Sequence, residues 1–252
     1  MHTTMKKLLF LAALAALTSC QLMDIAVGNG QSSSTSIKLE GFDSISLRCH
    51  LEVIYTQTSG EQSVTLTCDE NLTDCYRIIV ENGTLVVDTR NNTILKPKVK
   101  SYVTVNSSGV DGVSVSGSGS CRITGPLTSD GDIRFKVSGS GGIRAEGTVE
   151  CREFSSTVSG SGSIGVAGVL ADAASFRGSG SGSTSVDLLT ADKVSATVSG
   201  SGSVRLFCQD AGDIDVSISG SGGVRLSGNA RSLNSHTSGS GRVDSKNLIL
   251  GK

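Results

Sequence analysis

The sequence predicts an all-β protein, a parallel β-helix or solenoid built from roughly 20-residue coils with Ser-Gly-Ser-Gly corners. The first observation is the tetrapeptide itself, which recurs in steps of 19 to 22 residues and begins at Ser116, Ser138, Ser159, Ser179, Ser199, Ser219 and Ser238. The second is the composition, with 32 glycines, 2 prolines and only 4% aromatic residues. The third is a hydrophobic content of 37%, arranged beside the corners, which argues against a disordered linker.

Apolar and polar residues alternate on both sides of each corner. Before one corner the chain runs Asp213-Ile214-Asp215-Val216-Ser217-Ile218. Five and seven positions after the first serine of the tetrapeptide, most units carry apolar residues, among them Cys121 and Ile123, Ile143 and Ala145, Val204 and Leu206, and Val224 and Leu226. A period of two is typical of a strand with one buried face.

Each unit is therefore predicted to consist of a strand, a corner, a second strand and a loop. Glycine is expected to supply positive φ at the tight corner, and serine to satisfy nearby backbone groups. Units this short bury their apolar faces only by stacking, and seven of them would form a column of about 30–35 Å. Propeller blades of about 40–45 residues are too long for the repeat, and antiparallel hairpins would favour Asn-Gly or Asp-Gly turns.

The predicted β-helix domain spans residues 37–252, with irregular coils and a cap over 37–113 and regular repeats over 114–252. Segments such as Leu51–Tyr55 and Ser63–Thr67 are strand-like without following the repeat. Asn82-Gly83 lies between two apolar runs, which is a strong hairpin signal. Terminal repeats of solenoids are atypical because they cover an open end.

The first residues have the organisation of a bacterial lipoprotein signal. Lys6 and Lys7 precede a ten-residue apolar run, Leu8 to Leu17, which is too short to span a bilayer. The run ends in Leu17-Thr18-Ser19-Cys20, which resembles a lipobox. The sequence therefore predicts a signal peptide over 1–19, lipid attachment at Cys20 and a flexible, lipid-anchored tether over 20–36. An ordinary secretory leader is the alternative, and export follows from either.

Three features in order resemble a known family: Gly41-Phe42-Asp43-Ser44-Ile45 with Leu51 to Gln57, then Asn82 to Val87, then the run of corners. The chain is similar in them to the "putative auto-transporter adhesin, head GIN domain" family of Bacteroidetes envelope proteins over about residues 40–250. The resemblance implies a right-handed parallel β-helix, no known catalysis and a role in cell adhesion. It transfers no functional residues.

Residues suited to catalysis are scarce. His2 leaves with the leader, and His50 and His236 are expected on the surface. The chain carries no HExxH, P-loop or GxSxG motif and no CxxC pair. The sequence thus predicts no enzyme, no catalytic residues, no metal and no cofactor. A net charge of −1 gives no reason to expect nucleic acid as a partner.

Charged residues recur at equivalent positions of the repeat. Arg122 and Arg144 are equivalent, as are Arg205 and Arg225, and stacking would bring each pair about 5 Å apart. These four arginines are a candidate binding stripe for an acidic glycan, or else a solvated face that discourages edge pairing. Aspartates that recur before the corners fit turn positions better than catalysis, namely Asp130, Asp132, Asp172, Asp192 and Asp213.

Six cysteines remain after Cys20, and an exported chain permits disulfides. Cys68 and Cys75 bracket a short loop and are the one specific pairing expected. Cys121 falls on an inward position and is expected to be a buried free thiol.

The predicted function is a non-enzymatic, membrane-anchored β-solenoid of the cell envelope, an outer-membrane lipoprotein used for adhesion or interaction. Its expected partners are the membrane, through the lipid anchor, and a glycan or protein ligand. The alternative is a glycan-binding or glycan-processing β-helix of the pectin-lyase-like kind, which clustered carboxylates in a cleft would favour. A third option is a homo-oligomeric scaffold stacked end to end, which a polar C-terminal coil would argue against.

Overall fold

The structure, a computed structural model, describes residues 24–90 and 93–251. Within these ranges the chain forms strands and one short 3₁₀ helix, Glu70–Cys75. Nearly all strands belong to one sheet that winds into a solenoid of about seven turns with parallel neighbours, which confirms the predicted fold class. The hand of the coil stays a prediction.

The regular part of the solenoid, called the column, runs from residue 110 to residue 250. Its strands are β10 (Gly112–Val115), β11 (Ser120–Ile123), β12 (Leu127–Thr128), β13 (Asp132–Val137), β14 (Gly142–Val158), β15 (Ser163–Gly178), β16 (Ser183–Val198), β17 (Ser203–Gly220), β18 (Gly223–Gly239) and β19 (Arg242–Leu250). Each of the long strands pairs in parallel with the next coil.

Each coil has three sides. In the first coil of the column the sides are separate strands, β11, β12 and β13, and all three pair with successive parts of the single strand β14. The first side follows the Ser-Gly-Ser-Gly corner, the second side is the shortest, and the third side leads into the next corner. The segment predicted as a loop is therefore a third, short side with its own strand pairing, and each coil has three strands.

The register joins equivalent residues of successive repeats. Val204 pairs with Thr184 on one side and with Val224 on the other, and all three are buried. Ile214, Val216 and Ile218 of the third side are buried in the same way, while the residues between them are exposed. The apolar residues chosen from the period of two therefore line the core.

The corner glycines are required for a different reason from the one expected. Of the corner glycines, only Gly220 and Gly239 have positive φ, at 139° and 110°. At the others a Cβ would strike the coil below: at Gly182 it would lie 2.3 Å from the carbonyl oxygen of Gly162 and 2.5 Å from Cγ1 of Val158. Backbone N–H groups of each corner donate to carbonyls of the previous corner, for example Gly182 N to Gly160 O at 3.0 Å. Glycine is needed chiefly because backbones approach closely.

Three phenylalanines pack against one another in the core of the column. The rings of Phe135 and Phe154 meet edge to face with centroids 5.4 Å apart, and Phe154 and Phe176 are 6.1 Å apart. A ring is larger than the spacing between coils, so small residues lie beside it: Phe176 pairs with Ser156 below and Ala196 above. The core is filled by alternation of large and small residues along the stack.

The N-terminal region, residues 24–107, is built differently. Its strands are β1 (Ile25–Val27), β2 (Ser32–Ile37), β3 (Ser44–Leu47), β4 (Glu52–Gln57), β5 (Ser63–Asp69), β6 (Tyr76–Glu81), β7 (Thr84–Thr89), β8 (Ile94–Lys96) and β9 (Tyr102–Ser107). Antiparallel pairs occur here, since β5 lies between β2 and β9, and β6 pairs with β7.

The coils of the N-terminal region do not follow chain order. Strands β3 and β4 pair with β10 and β11 of the column on one side and with β7 and β9 on the other. The chain thus lays down the coil of β3 and β4, passes outward to form the terminal coil of β7 and β9, and returns to start the column.

Two local expectations for this region have clear outcomes. The Asn82-Gly83 hairpin is confirmed, since φ is 50° and 74° at these residues and β6 and β7 pair antiparallel. The flexible tether is wrong for the described part of 20–36, because Ser32–Ile37 is a strand paired with β5. Serine and threonine hydroxyls join the two strands, as between Ser34 and Thr67 at 2.9 Å. Residues 20–23 lie outside the described residues.

Asp69 is a fully buried carboxylate at the end of β5. It accepts backbone hydrogen bonds from Gly30 at 2.7 Å, Lys98 at 2.9 Å and Val99 at 3.1 Å. Burial by itself would raise the pKa of Asp69, but the three N–H donors outweigh it and lower the pKa. Gly28 has no side chain because a Cβ there would collide with this carboxylate at 2.3 Å.

The C-terminal coil changes the character of its inward positions. Ser235 and Thr237 stand where the previous coil has Val216 and Ile218, and both are exposed. The last coil is therefore polar at these positions of its third side, whereas Ile249 and Leu250 of β19 are apolar and exposed, and end-to-end stacking stays an open prediction.

The cysteines do not form the expected pair. Cys68 and Cys75 are both free, and the segment between them is the 3₁₀ helix. The Cys68 thiol instead lies 3.3 Å from the backbone oxygen of Asp69. Cys121 is free and fully buried, as predicted.

Candidate functional site: the arginine face

The outward face of the first side carries the predicted stripe and is called the arginine face, defined by Arg122, Arg144, Arg205 and Arg225. Their neighbours on the strands point inward, so the alternation of the strand places all four guanidinium groups outside. Arg122 pairs in register with Arg144, and Arg205 with Arg225. Gly165 and Ser185 occupy the equivalent outward positions of the two coils between these pairs.

The outermost arginine of each pair has an acidic partner. Arg122 Nε lies 3.1 Å from Glu52 Oε1. Glu52 also forms an ion pair with Lys100, whose Nζ lies 2.8 Å from Oε2. The hydrogen bond from Lys100, with a second one from Arg122, lowers the pKa of Glu52 against a smaller opposing effect of burial. Arg225 Nε lies 3.3 Å from Asp244.

The inner two arginines are exposed and, within residues 24–90 and 93–251, form no ion pair. Three coil steps separate Arg144 from Arg205, a distance of about 14 Å at the usual strand spacing. Small residues form the surface between them, among them Gly165, Ser183 and Ser185. The result is a shallow groove of about 420 Å³ that continues into a second one of about 230 Å³ beside Arg242.

A separate groove of about 430 Å³ lies on the third side of the coils, away from the arginine face, and carries carboxylates at both ends. Asp132 and Glu153 are register partners at one end, and Asp213 and Asp215 lie at the other. Asp132 and Glu153 stand one coil step apart, about 5 Å, which is within the separation of about 5–9.5 Å between the two carboxyl groups of a glycosidase, whereas four coil steps, about 19 Å, separate Asp132 from Asp213.

The carboxylates at the ends of this groove are engaged by other side chains. Asp132 forms ion pairs with Arg134 at 2.6 Å and Arg152 at 2.9 Å. Hydrogen bonds from Ser232 and then Arg231 lower the pKa of Asp213. A general acid for glycoside cleavage needs a raised pKa, so Asp213 is suited to remain an anion. Asp132 and Asp213 are thus engaged in ion pairs, and Asp213 lacks the raised pKa of a general acid.

Other candidate ligands and bases are dispersed. His50 is exposed in the N-terminal region, with its ring 6.2 Å from that of Tyr76, and His236 is exposed on the last coil. Across the part of the chain that the structure describes, no group of three or more His, Cys, Asp or Glu residues is placed to hold a metal. Asp172 and Asp192 are exposed where the ladder is interrupted between the second and third sides.

The predicted lipid attachment site, Cys20, lies outside the described residues. Across residues 24–90 and 93–251, no helix combines the length and the apolar character that a bilayer crossing requires. Sequence reasoning missed Glu52, Lys100 and Asp244, because two of them lie outside the regular repeat. Arg242 could have been found from the repeat, because it lies four positions after Ser238 and the alternation makes that position outward.

Fold and surface together define a β-solenoid protein with a repetitive, polar, arginine-bearing face. The chain belongs to the family described as "Putative auto-transporter adhesin, head GIN domain", whose model matches residues 41–230. This confirms the family resemblance seen in the sequence. A comparison with curated proteins gave no significant match.

Solved structures of similar proteins share the fold. A "putative adhesin" from Bacteroides fragilis has a TM-score of 0.77 at 19% identity, with 89% of this chain and 100% of that chain covered. A "putative lipid binding protein" from Parabacteroides distasonis has a TM-score of 0.73 at 23% identity, covering 90% and 100%. A "putative adhesin" from Parabacteroides merdae has a TM-score of 0.70 at 21% identity, covering 90% and 99%.

Proposed function

We propose that this protein is a non-enzymatic, lipid-anchored interaction module of the cell envelope, which binds an anionic ligand on its arginine face. The observation that carries the proposal is the pair Arg144 and Arg205, exposed and without acidic partners, about 14 Å apart on a rigid surface of small residues. The adhesin family and adhesin-named structural neighbours support this class of function.

The ligand class follows from the charge and shape of the face. Guanidinium groups bind carboxylate and sulfate oxygens with well-oriented hydrogen bonds. A shallow, open groove suits an extended chain better than a small molecule, which normally needs an enclosing pocket. An acidic polysaccharide with charges spaced along its length meets both requirements, and contacts repeated along the column would add up.

Binding of the purified protein to immobilised polysaccharides tests the ligand class. The array should hold uronic-acid-containing, sulfated and uncharged polymers. The double variant Arg144→Ser and Arg205→Ser removes the two arginines of the arginine face that lack an ion pair, with serine chosen because Ser185 already occupies the equivalent position. We expect binding to acidic polymers to fall at least about tenfold and to weaken with added salt.

The matched control is Arg177→Thr. Arg177 is exposed on the third side, and its neighbours in register are Thr157 and Thr197. Combined with Lys136→Thr, at an exposed lysine whose register partner is also Thr157, this substitution removes two positive charges, as the double variant does, without touching the arginine face. Equal losses in the control and the double variant would reduce the effect to net charge, and retention of acidic polymers by the double variant would contradict the proposal.

The anchor and its location are part of the same proposal: signal peptide over 1–19, acylation at Cys20 and attachment to the outer membrane. Labelling of growing cells with a palmitate analogue should mark the wild-type chain and leave Cys20→Ala unmarked. Protease treatment of intact cells then reports whether the body faces outward. An unlabelled wild-type chain would contradict the anchor.

A further inference from the structure

The two-stranded sheet of β1 and β8 presents an unpartnered apolar surface at the N-terminal end of the solenoid. Ile25 pairs in register with Ile94, and Val27 with Lys96. Ile25, Val27 and Ile94 are exposed to 56%, 50% and 44%, so this sheet carries half of the large exposed apolar side chains in the described residues.

The sheet is amphipathic in the ordinary way for a strand pair. Ala26 and Leu95 pack against the core. Their neighbours along the strands, three apolar residues and Lys96, therefore share the opposite face, which is called the terminal sheet face. The sheet is fixed to the body, because Gly28 N donates to Lys96 O at 2.9 Å and Asn71 donates to Val27 O at 2.9 Å.

We infer that the terminal sheet face rests on the lipid surface of the membrane. The inference builds on the proposed acylation of Cys20. Five residue steps join Cys20 to Ile25, and an extended chain covers at most about 17 Å over that length. A lipid chain attached to Cys20 would therefore keep this face within about 17 Å of the bilayer surface.

The chemistry of the face fits that location. Branched apolar side chains partition into the boundary between headgroups and acyl chains, and a lysine beside them pairs with anionic headgroups. Lys96 lies on the face, and the exposed Lys98 follows two residues later. Asp24 and Glu70, also exposed nearby, limit the net positive charge, so the apolar residues supply the main attraction. The column would then extend away from the membrane, with its arginine face accessible along the side.

A tryptophan introduced on the face gives a direct test, because the chain has no tryptophan of its own. The full acylated protein carrying Ile94→Trp is reconstituted in vesicles of phosphatidylcholine with phosphatidylglycerol. We expect its emission to shift to the blue and to be quenched when brominated lipids replace the ordinary ones. Ile25→Trp serves as a second reporter in case Ile94→Trp folds poorly.

The matched control is Phe207→Trp, an exposed aromatic position (45%) on the column. It should show neither the shift nor the quenching. If the protein floats with vesicles but neither reporter is quenched, the anchor stands and the inference is wrong. If mass spectrometry finds Cys20 unmodified, the proposed anchor fails, and the inference fails with it. A blue shift that rises with protein concentration and needs no vesicles would assign the face to a second copy and overturn the inference.

Discussion

The column and the N-terminal region satisfy their backbone groups by different means. In the column, each coil is paired by the next one, and the corners contact one another backbone to backbone. In the N-terminal region, as far as the described residues extend, no further coil follows the terminal one, so antiparallel strands cover the end and the buried Asp69 carboxylate holds three N–H groups. Repetition stabilises the first region, and individually placed side chains stabilise the second.

The largest effect is expected from the phenylalanine cluster, which belongs to the column. Phe176→Ala removes a ring that is fully buried between coils and should destabilise the protein by about 3–5 kcal/mol. The control Phe207→Ala, at an exposed position, should change stability by no more than about 0.5 kcal/mol. Chemical denaturation measures both, and a small loss for Phe176→Ala would mean that the column is not packed through these rings.

A corner substitution tests the close backbone approach itself. Gly182→Ala places a methyl group against the Gly162 carbonyl and should cost about 1–3 kcal/mol, because the corner must move apart. Gly165→Ala is the matched control, since no atom lies within 4 Å of its added Cβ. If both variants unfold at the same denaturant concentration, the corners do not stack as described.

Substitution of Asp69 should affect the N-terminal region and spare the column. Asp69→Asn cannot accept from all three N–H groups, so the amides of Gly30, Lys98 and Val99 should exchange with deuterium at least about tenfold faster. Asp187→Asn, at an exposed position of the column, is the control. Faster exchange throughout the column would show that the two regions are not independent.

The same carboxylate makes the N-terminal region sensitive to acid. Because the pKa of Asp69 is lower in the fold than its ordinary value of 3.8, ionisation stabilises the native state. That stabilisation is complete above pH 3.8 and is lost as the pH falls through the lower folded value. Amide exchange at Gly30 and Lys98 should therefore become faster in the wild type as the pH falls through the pKa of Asp69 in the folded protein. It should change less in Asp69→Asn, which lacks the carboxyl group.

The smallest effect is expected in the rates at which the thiols of the wild-type protein react with a labelling reagent, since this experiment requires no substitution. Burial raises the pKa of Cys121 to about 12, so this thiol in the column should stay unreactive until the protein unfolds. Cys75, partly exposed at the end of the 3₁₀ helix, should react first. Fast labelling of Cys121 would indicate that the column opens readily.

The repeat in the sequence predicts most of the structure of the column. Spacing and alternation identify the corners, the inward positions of residues such as Val204 and Ile214, and the pairing of Arg122 with Arg144, because stacking makes equivalent residues neighbours. The expectation that the corner glycines supply positive φ is wrong for most of them. They are needed for close backbone approach, and spacing along a chain contains no information on the distance between two backbones.

The N-terminal region was less predictable for a physical reason. The donors to Asp69 come from residues 30, 98 and 99, which no local pattern connects. The outward passage of the chain to β7 and β9 depends on long-range pairing, and short strands of similar composition allow several orders. The polar stretch before β2 has the composition of a linker, yet its hydroxyls and backbone pair with β5.

Removal of one whole coil tests the central claim, that equivalent residues lie above one another, most directly. Deletion of residues 203–222 joins Gly202 to Gly223, which is the register partner of Ser203, and should leave a shorter column that unfolds cooperatively with the same β-sheet circular dichroism per residue. Deletion of residues 203–212, half a coil, should abolish the cooperative transition because it puts a third side where a first side belongs, so that the next corner no longer lies above the one before it. Equal behaviour of the two deletions, folded or unfolded, would contradict the stacked solenoid.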